Sequence, residues 1–399
     1  MNTLQDGARF TSRRALLALT VAAPILACTG CGLLGTDPKP AAASSCQRGA
    51  TRRAAGGDPS DAGGTSGADT DMRIDESVLV GPGIAVSPDG SLVAANAGRG
   101  RQLLGRSATV GTVLWHAADG TVTTRFDNEL QGPIAWRPDG SLLAIAGPSW
   151  IELTTPDGEV LWTLEGHRTE RTPREKLRET PKPAIRELSF SSDGTSLASV
   201  SSDGTARIWT EIGSGCAPGK VLEVHALAPR SVSLSPDGAT LAVCGTDGPV
   251  QLWDVASGRR QHEVKGIEFF PRSVVYAPDG TLLIGTGRPE VSTADSPERA
   301  RLYALTPGGE PERAPDPLGL STSFIALARG GERIAAVGAG DNQVMVWDRT
   351  TGTRQDLPRF SGGSQGIAWA ADESALFVLD PADGVKAWRG SEWETFETP

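Results

Sequence analysis

The residues best suited to catalysis are sparse in this sequence. The segment Gly362-Gly363-Ser364-Gln365-Gly366 has the spelling of a nucleophile elbow, but an elbow needs a strand before it, a helix after it and a hydrolase domain around it. No stretch of the chain is left to form that domain, so the match is interpreted as chance. The four histidines are scattered singly and form no zinc-ligand pattern. No catalytic residue, metal site or cofactor is therefore expected.

Clustered basic residues are the second group that could act chemically, because guanidinium groups bind carboxylates and phosphates. They lie in two long segments, residues 98–110 and 168–184, of a chain whose formal net charge is −10. The positions are Arg99, Arg101 and Arg106 in the first segment, and Arg168, Arg171, Arg174, Lys176 and Arg178 in the second. They predict an acidic partner, either a protein segment or an anionic envelope polymer. The alternative is that long surface loops are merely tolerated.

Cysteine spacing points to an anchor. Cys46 lies near the N-terminus, and Cys216 and Cys244 lie far apart in the chain, a pattern that predicts no disulfide framework. The residues before Cys28 (Ile25-Leu26-Ala27) resemble a bacterial lipobox, in which the cysteine becomes lipidated. Cys31 is the alternative lipidation site. A lipidated cysteine would hold the protein firmly at a membrane.

Residues 1–27 are interpreted as an export signal. Arg13 and Arg14 precede a mainly apolar run, residues 15–27, which is too short to cross a bilayer as a helix. The paired arginines are typical of a twin-arginine signal, and an ordinary secretory signal is the alternative. The mature chain would be more acidic still, which argues against nucleic-acid binding. We expect a protein anchored to the outer face of the cell membrane as a lipoprotein.

Residues 28–71 are rich in small and polar residues and poor in bulky apolar ones. Such a segment buries too little apolar surface to offset the entropy of ordering it. It is therefore predicted to be a flexible, disordered tether. As a random coil it would hold the following domain roughly 35–40 Å from the anchor.

A repeated phrase dominates the remainder, residues 72–399. An apolar pair is followed by a polar turn that ends in Asp-Gly, and the phrase returns about every 42 to 54 residues, a period typical of propellers and solenoids. The Asp positions are Asp89, Asp139, Asp193, Asp237 and Asp279, with degraded copies at Gly330 and Asp372. Asp caps such a turn and Gly accepts its positive φ. Apolar runs of strand length flank each turn.

A second apolar run in each unit usually ends in an aromatic residue. The positions are Trp115, Trp209, Trp253, Tyr303, Trp347 and Trp388, and in the second unit the slot falls on Leu153. A further turn follows each of these runs. Each unit is thus interpreted as four short strands whose large ring packs against the next unit.

The segments 202–209, 253–258 and 347–352 resemble those of WD-repeat proteins; 253–258, for example, reads Trp-Asp-Val-Ala-Ser-Gly. That family carries a structural His–Ser/Thr–Asp–Trp network in its best blades. In the fourth unit His225, Asp247 and Trp253 match, but Val243 replaces the hydroxyl. In the third unit Ser199, Asp203 and Trp209 match, while His167 lies too early because an insertion intervenes. Both departures predict an incomplete network.

Seven units predict an all-β, seven-bladed β-propeller of four-stranded antiparallel blades, and we expect a monomer. The ring must close because an open one would expose sheet edges. Either residues 74–80 or residues 393–396 supply the closing outer strand. The longest insertions, residues 98–110, 168–184 and 287–299, fall at connections that open on the same face of a propeller. That shared face is the expected binding surface.

Two functions follow from this fold. The first is a membrane-anchored, extracytoplasmic and non-catalytic platform for a protein partner. The alternative is a propeller enzyme, a metal-dependent hydrolase or lactonase or a quinoprotein-like protein, with its active site at the mouth of the channel. An enzyme would require several polar side chains and a pocket at one end of the channel, whereas a scaffold would use its rim and loops.

Overall fold

The computed structural model describes residues 44–48, 83–97, 111–126, 130, 132–170, 172, 182–224, 229–245, 248–287, 301–314, 322–338, 343–360, 364–380 and 384–396. These residues form strands and connecting turns and contain no helix. In particular, the described part of the chain has no apolar helix of bilayer-spanning length. The strands form seven antiparallel sheets, which confirms the predicted seven-bladed, all-β propeller.

Strand β1 (Ser45–Arg48) precedes the seven blades. Blade one consists of β2 (Ile84–Val86), β3 (Leu92–Ala97), β4 (Gly111–His116) and β5 (Val122–Arg125). Blade two consists of β6 (Ile134–Trp136), β7 (Leu143–Ala146), β8 (Trp150–Thr154) and β9 (Val160–Glu165). Blade three consists of β10 (Ile185–Phe190), β11 (Leu197–Ser201), β12 (Thr205–Thr210) and β13 (Ala217–Glu223).

Blade four consists of β14 (Pro229–Leu234), β15 (Thr240–Gly245), β16 (Val250–Asp254) and β17 (Arg260–Val264). Blade five consists of β18 (Phe270–Tyr276), β19 (Leu282–Gly287), β20 (Leu302–Leu305) and β21 (Glu312–Arg313). Blade six consists of β22 (Thr322–Leu327), β23 (Arg333–Gly338), β24 (Val344–Asp348) and β25 (Arg354–Asp356). Blade seven consists of β26 (Ile367–Trp369), β27 (Leu376–Asp380), β28 (Gly384–Trp388) and β29 (Trp393–Thr395). In every blade the first strand is the innermost.

The repeated Asp-Gly turn joins the first two strands of each blade. In blade one, Asp89 Oδ1 accepts the backbone N–H of Ser91 at 3.0 Å, and Gly90 has φ +78°. Blade seven has Glu373 where other copies have glycine, and this residue adopts φ +60°. An ion pair with Arg333 at 2.9 Å and a hydrogen bond from the backbone N–H of Gly330 hold its carboxylate. Side-chain contacts thus offset the strain of the degraded turn.

The hydrophobic core lies between the blades. In the described part of the chain, one apolar cluster occupies each of the seven junctions between consecutive blades. The aromatic rings that end the second apolar run of a unit were predicted to pack on the next unit. They pack on the preceding blade instead. Trp209 of blade three shares a cluster with Leu164 of blade two, and Trp253 of blade four shares one with Leu222 of blade three. The direction follows from the alternation of side chains along a strand.

Register also corrects the slot of blade two. Trp209 pairs with Leu197 and Trp253 pairs with Leu241, and the equivalent partner of Leu143 is Thr154. Leu153 therefore points to the opposite face, where it joins the cluster with blade three. A shift of one residue along a strand exchanges the two faces.

Blade seven is completed by the C-terminal segment, one of the two predicted closures. Strand β29 pairs with β28 as its outermost strand, whereas residues 74–80 lie outside the described residues. Blades one and seven meet in an apolar cluster that includes Trp115, Phe377 and Phe396. The backbone N–H of Gly83 also donates to the carbonyl of Gln365 at 3.1 Å. The ring closes by packing between these two blades.

Strand β1 and one disulfide are two features of the N-terminal segment that the sequence analysis did not predict. Although residues 28–71 were predicted to be a flexible tether, Ser45–Arg48 pair antiparallel with β9 and add a fifth strand to blade two. Cys46 also forms a disulfide with Cys216 of blade three, with Cα atoms 6.0 Å apart. The buried Arg207 donates to Ser44 Oγ, which in turn donates to the Gly219 carbonyl. The segment therefore links blades two and three through β-pairing, a disulfide and side-chain hydrogen bonds.

Candidate functional site

One face of the ring, called here the upper face, is where the innermost strands begin. Because strand direction alternates within each antiparallel blade, the second strands end there and the outermost strands lead into the next blade there. The three insertions lie between β3 and β4, β9 and β10, and β19 and β20. The ends of the strands that flank each insertion therefore lie on this face, while residues 98–110, most of 168–184 and residues 288–299 lie outside the described residues.

Most of the predicted site residues lie outside the described part of the chain. These residues are Arg99, Arg101, Arg106, Arg171, Arg174, Lys176, Arg178 and the lipidation site Cys28. Arg168 is described, and its backbone N–H donates to Asp203 Oδ2 at 2.8 Å. Its guanidinium also donates to the Asp203 carbonyl at 3.3 Å. Arg168 thus fixes the start of the long insertion to blade three.

His167 completes the buried network of blade three, contrary to prediction. Its Nε2 lies 2.9 Å from Ser199 Oγ, which also accepts the indole N–H of Trp209 at 3.1 Å. On the other side of the ring, Nδ1 lies 3.2 Å from Asp203 Oδ2 and 3.1 Å from Thr205 Oγ1. The prediction failed because it counted the insertion as a displacement. The insertion instead leaves the ring after His167 and returns at β10, so its length does not move the histidine.

The protonation of this network follows from its burial. Desolvation lowers the pKa of His167 despite the attraction of the Asp203 carboxylate. A neutral imidazole with its proton on Nδ1 satisfies both sides, because it donates to Asp203 and accepts from Ser199. At the far end of the insertion, Ser202 N–H donates to the Ala184 carbonyl at 3.0 Å. The network therefore fixes the start of the insertion, this separate backbone bond fixes its far end, and both are structural.

Three arginines on the upper face were missed by the sequence analysis. Arg186, Arg230 and Arg272, called here the arginine arc, each stand seven residues before the Asp of the following turn. Each is the extra residue where the pairing of the innermost strand shifts by one. Such bulges re-aim a side chain and are common near functional sites. Their shared spacing from the Asp marker was the signal that could have revealed them.

The positive charges of the arginine arc lie close enough to repel one another. Burial, with a smaller contribution from the charge of Arg230, lowers the pKa of the Arg186 guanidinium to about 10. Arg272 is only 7% exposed. In the described part of the chain, Arg186 makes neither a hydrogen bond nor an ion pair. Two guanidiniums whose charges act on each other at this face are suited to bind an anion.

Glu187 lies beside the arc, where the next blade has Ser231. Its Oε2 accepts the backbone N–H of Val232 at 2.8 Å, bridging the innermost strands of blades three and four. Ser231 and Ser233 make the same bridge to blade five, at 2.9 Å and 3.0 Å. Burial raises the pKa of Glu187 to about 7, although hydrogen bonds from Ser231 and Val232 act in the opposite direction. Near neutral pH this carboxyl is therefore only partly charged.

A groove of about 480 Å³ lies on the same face between blades four and five. Ile267, Phe269, Phe270 and Pro271 contribute much of its apolar lining, together with Pro249 from blade four. Phe269 has φ +69°, a conformation that bulky side chains rarely adopt. Pro271 directly precedes Arg272, so the groove runs up to the arginine arc.

The lower rim differs because neighbouring blades use its polar groups. Arg137 Nε donates to the Gly194 carbonyl at 3.0 Å, linking blades two and three. Arg349 donates to the Gly331 carbonyl at 2.9 Å and lies 3.4 Å from Asp279 of blade five. These side chains join blades and leave few donors for a ligand.

Groups able to support catalysis are occupied or buried in the described part of the chain. The Ser364 hydroxyl donates to the Gly366 carbonyl at 3.1 Å within an inter-blade loop. Burial raises the pKa of the Cys244 thiol, so little reactive thiolate forms at neutral pH. Among the described residues there is no group of three or more His, Cys, Asp or Glu that could hold a metal ion.

Glu187 gives a testable pH dependence. Because its folded-state pKa is raised, its contribution to stability is full in mild acid and is lost as the pH rises through about 7. Glu187→Gln should flatten this dependence and raise the free energy of unfolding by on the order of 1–2 kcal/mol at about pH 8. Urea unfolding at about pH 5 and about pH 8 measures it. Glu312→Gln on the exposed β21 is the control, and parallel profiles for wild type and Glu187→Gln would contradict the assignment.

Comparison with known proteins gives matched repeats over part of the chain and a shared fold. The family model "WD domain, G-beta repeat" matches residues 158–210 and 216–254. No curated protein sequence matches the chain significantly. A chain of the Mitotic Checkpoint Complex is similar in structure, with TM-score 0.59 and 19% identity, covering 79% of this chain and 90% of that one.

Two further solved structures have the same fold. Kuenenia stuttgartiensis hydrazine synthase matches with TM-score 0.58 and 17% identity, covering 81% of this chain and 99% of that chain. The β-propeller domain of Myceliophteria thermophila Cps50 (Swd1) matches with TM-score 0.57 and 13% identity, covering 78% and 98%. At these identities the structural likeness concerns the fold alone. The chain therefore carries WD repeats over residues 158–210 and 216–254 within a seven-bladed β-propeller.

Proposed function

We propose that this protein is an exported, lipid-anchored and non-catalytic platform that binds a protein partner through its upper face. The WD-repeat propeller fold in general suggests a protein-interaction scaffold. The observation that carries the proposal is the difference between the two faces. The upper face carries the arginine arc, the groove and the strand ends that flank the three insertions, whereas side chains of the lower rim bond between blades.

Export is supported by the disulfide as well as by the N-terminal sequence. Disulfides persist in oxidising compartments outside the cytoplasm and are rare in reducing ones. Cys46 and Cys216 join segments 170 residues apart in sequence. Because β1 is fixed to the ring, the tether from Cys28 to the domain is shorter than the full linker. A random coil over residues 28–43 would span roughly 20–25 Å.

The proposed partner is an acidic protein segment, with an anionic envelope polymer as the alternative. The chain is acidic overall, and its basic residues concentrate in two of the three upper-face insertions and the arginine arc. Complementary charge at one face would orient a partner while the remaining surface repels it. The same overall charge disfavours nucleic acid. We propose a monomer with a single binding face.

A non-catalytic role is supported by the state of the candidate groups. Both nitrogens of His167 are engaged in the buried network, and Ser364 and Cys244 are unsuited to act as nucleophiles. The hydrazine synthase neighbour is an enzyme by name, so the fold alone does not decide the question. The proposal rests on the side chains described above.

The anchor is tested by two cysteine variants. Cys28→Ala should move the protein from the membrane fraction to the soluble extracytoplasmic fraction, because the lipid that supplies membrane affinity is lost. Cys31→Ala is the matched control and should stay with the membrane. Peptide mapping of the wild type under non-reducing conditions should recover the Cys46–Cys216 pair. A membrane-bound Cys28→Ala protein, or Cys46 recovered as a free thiol, would count against export as a lipoprotein.

Binding through the upper face is tested by charge removal. Replacing Arg171, Arg174, Lys176 and Arg178 with serine should abolish capture of proteins that the wild type retains from an envelope extract, as identified by mass spectrometry. The control replaces Arg259, in an exposed lower-face turn, and Arg313, on the exposed β21, with glutamine. The same proteins captured by wild type and the serine variant would dismiss the role of this loop.

A further inference from the structure

We propose that the arginine arc and the groove form one two-part seat for an acidic segment of the partner. In it, Arg186 and Arg230 bind a carboxylate, and the groove beside Phe269 takes the apolar side chain next to that carboxylate. The inference rests on the proposed binding of a protein through the upper face. It adds the chemistry that such a partner must present.

The bulges position the arginines. On β10, Ile185 pairs with Ser201 and Glu187 with Val200, so Arg186 is the unpaired extra residue. Arg230 and Arg272 stand at the same point of β14 and β18. The bulge recurs on β22 with Ser323 at this point. Backbone geometry is therefore shared by four blades, while the arginine is confined to blades three to five.

The electrostatics favour an added anion. Arg186 and Arg230 are close enough for each charge to disfavour the other, and burial weakens the hydration of Arg186. Glu187 cannot fully neutralise them near pH 7, because its carboxyl is partly protonated and is bonded to Val232 N–H. A bound carboxylate would offset both the repulsion and the lost hydration. Guanidinium groups match the planar, two-oxygen geometry of a carboxylate.

The groove supplies the second half of the seat. Its lining includes the apolar Pro249, Ile267, Phe269 and Phe270 together with the charged Glu263 and Lys265, and Pro271 in its wall directly precedes Arg272. Both phenylalanines are partly exposed. The backbone of Phe269 is held in a left-handed conformation, which is typical of strain kept at ligand sites. An acidic residue adjacent to an aromatic or aliphatic one fits both parts, whereas an anion alone would leave the groove empty.

The test uses the full-length protein in detergent and fluorescein-labelled peptides measured by anisotropy. In the main probe, Asp-Phe pairs alternate with Gly-Ser, and two control peptides carry Asn-Phe or Asp-Gly instead. The Asp-Phe peptide should bind the wild-type protein saturably, and its affinity should fall as the salt concentration rises. Arg186→Gln or Arg230→Gln should weaken it about tenfold, whereas Arg259→Gln on the lower face should not.

The groove variant is Phe269→Gly, chosen because glycine accepts the same φ without strain. It should weaken the Asp-Phe peptide but leave the Asp-Gly peptide unchanged, and melting curves of each variant confirm folding. The inference is overturned if wild type shows no saturable binding at millimolar peptide, or if Asn-Phe binds as well as Asp-Phe. It is also overturned if inorganic phosphate displaces the peptide fully from Phe269→Gly and wild type alike, since that result would indicate a simple anion site.

Failure of this inference and of the proposed function can be told apart. If partner capture needs the upper-face loop but Arg186→Gln and Arg230→Gln retain it, the partner binds that face without the seat. If capture is indifferent to the loop and to both arginines, the proposed binding face is itself wrong.

Discussion

Each blade is a sheet of four consecutive strands, extended by β1 in blade two, with two apolar faces, and a sheet of this kind is not stable alone in water. Burial of apolar side chains stabilises folding by about 25 cal/mol per Å² removed from water, so both faces need partners. The seven apolar clusters between consecutive blades meet this need within the described residues. The last junction, between blades seven and one, joins segments distant in sequence. Without it, two blades would each present an apolar face to solvent.

Closure limits where function can vary. The strands pack between blades, and arginines such as Arg137 and Arg349 join neighbouring blades along the lower rim. Sequence and loop length can vary on the upper face, in the insertions and in the first residues of the innermost strands. The buried His167 network illustrates the division, since it fixes the residue where a long insertion begins without constraining the length of that insertion. A rigid ring with one variable face is well suited to recognition.

Local chemistry explains what the sequence predicted well. The Asp-Gly turns follow from the side-chain hydrogen bond of Asp and the positive φ of Gly, so blade number and strand positions were readable from the repeat. The three insertions were placed on one face for the same reason. The arginine arc was also readable, because each arginine stands seven residues before its Asp marker. It was not predicted because the three arginines are far apart in sequence and come together only on neighbouring innermost strands.

Features that depend on distant partners were not readable. Ser45–Arg48 lie in a segment of small and polar residues, and they form a strand only because they pair with the edge of β9. The disulfide of Cys46 depends on that pairing, since it brings the thiol to Cys216. The ring position of blade two was assigned to Leu153 from the sequence. Register places Thr154 there instead, opposite Leu143, because register decides which face a side chain occupies. His167 was rejected on spacing alone, although its place is set by where β9 ends.

Native-state amide hydrogen exchange tests the closed ring most directly, because protection reports the free energy needed to open each strand. Closure predicts that backbone amides of β3 and β27, at the junction of blades one and seven, are protected as strongly as those of β11 and β15. Exchange that is markedly faster in β3 and β27 than in β11 and β15 would show that blades one and seven behave as free ends, and it would contradict the account.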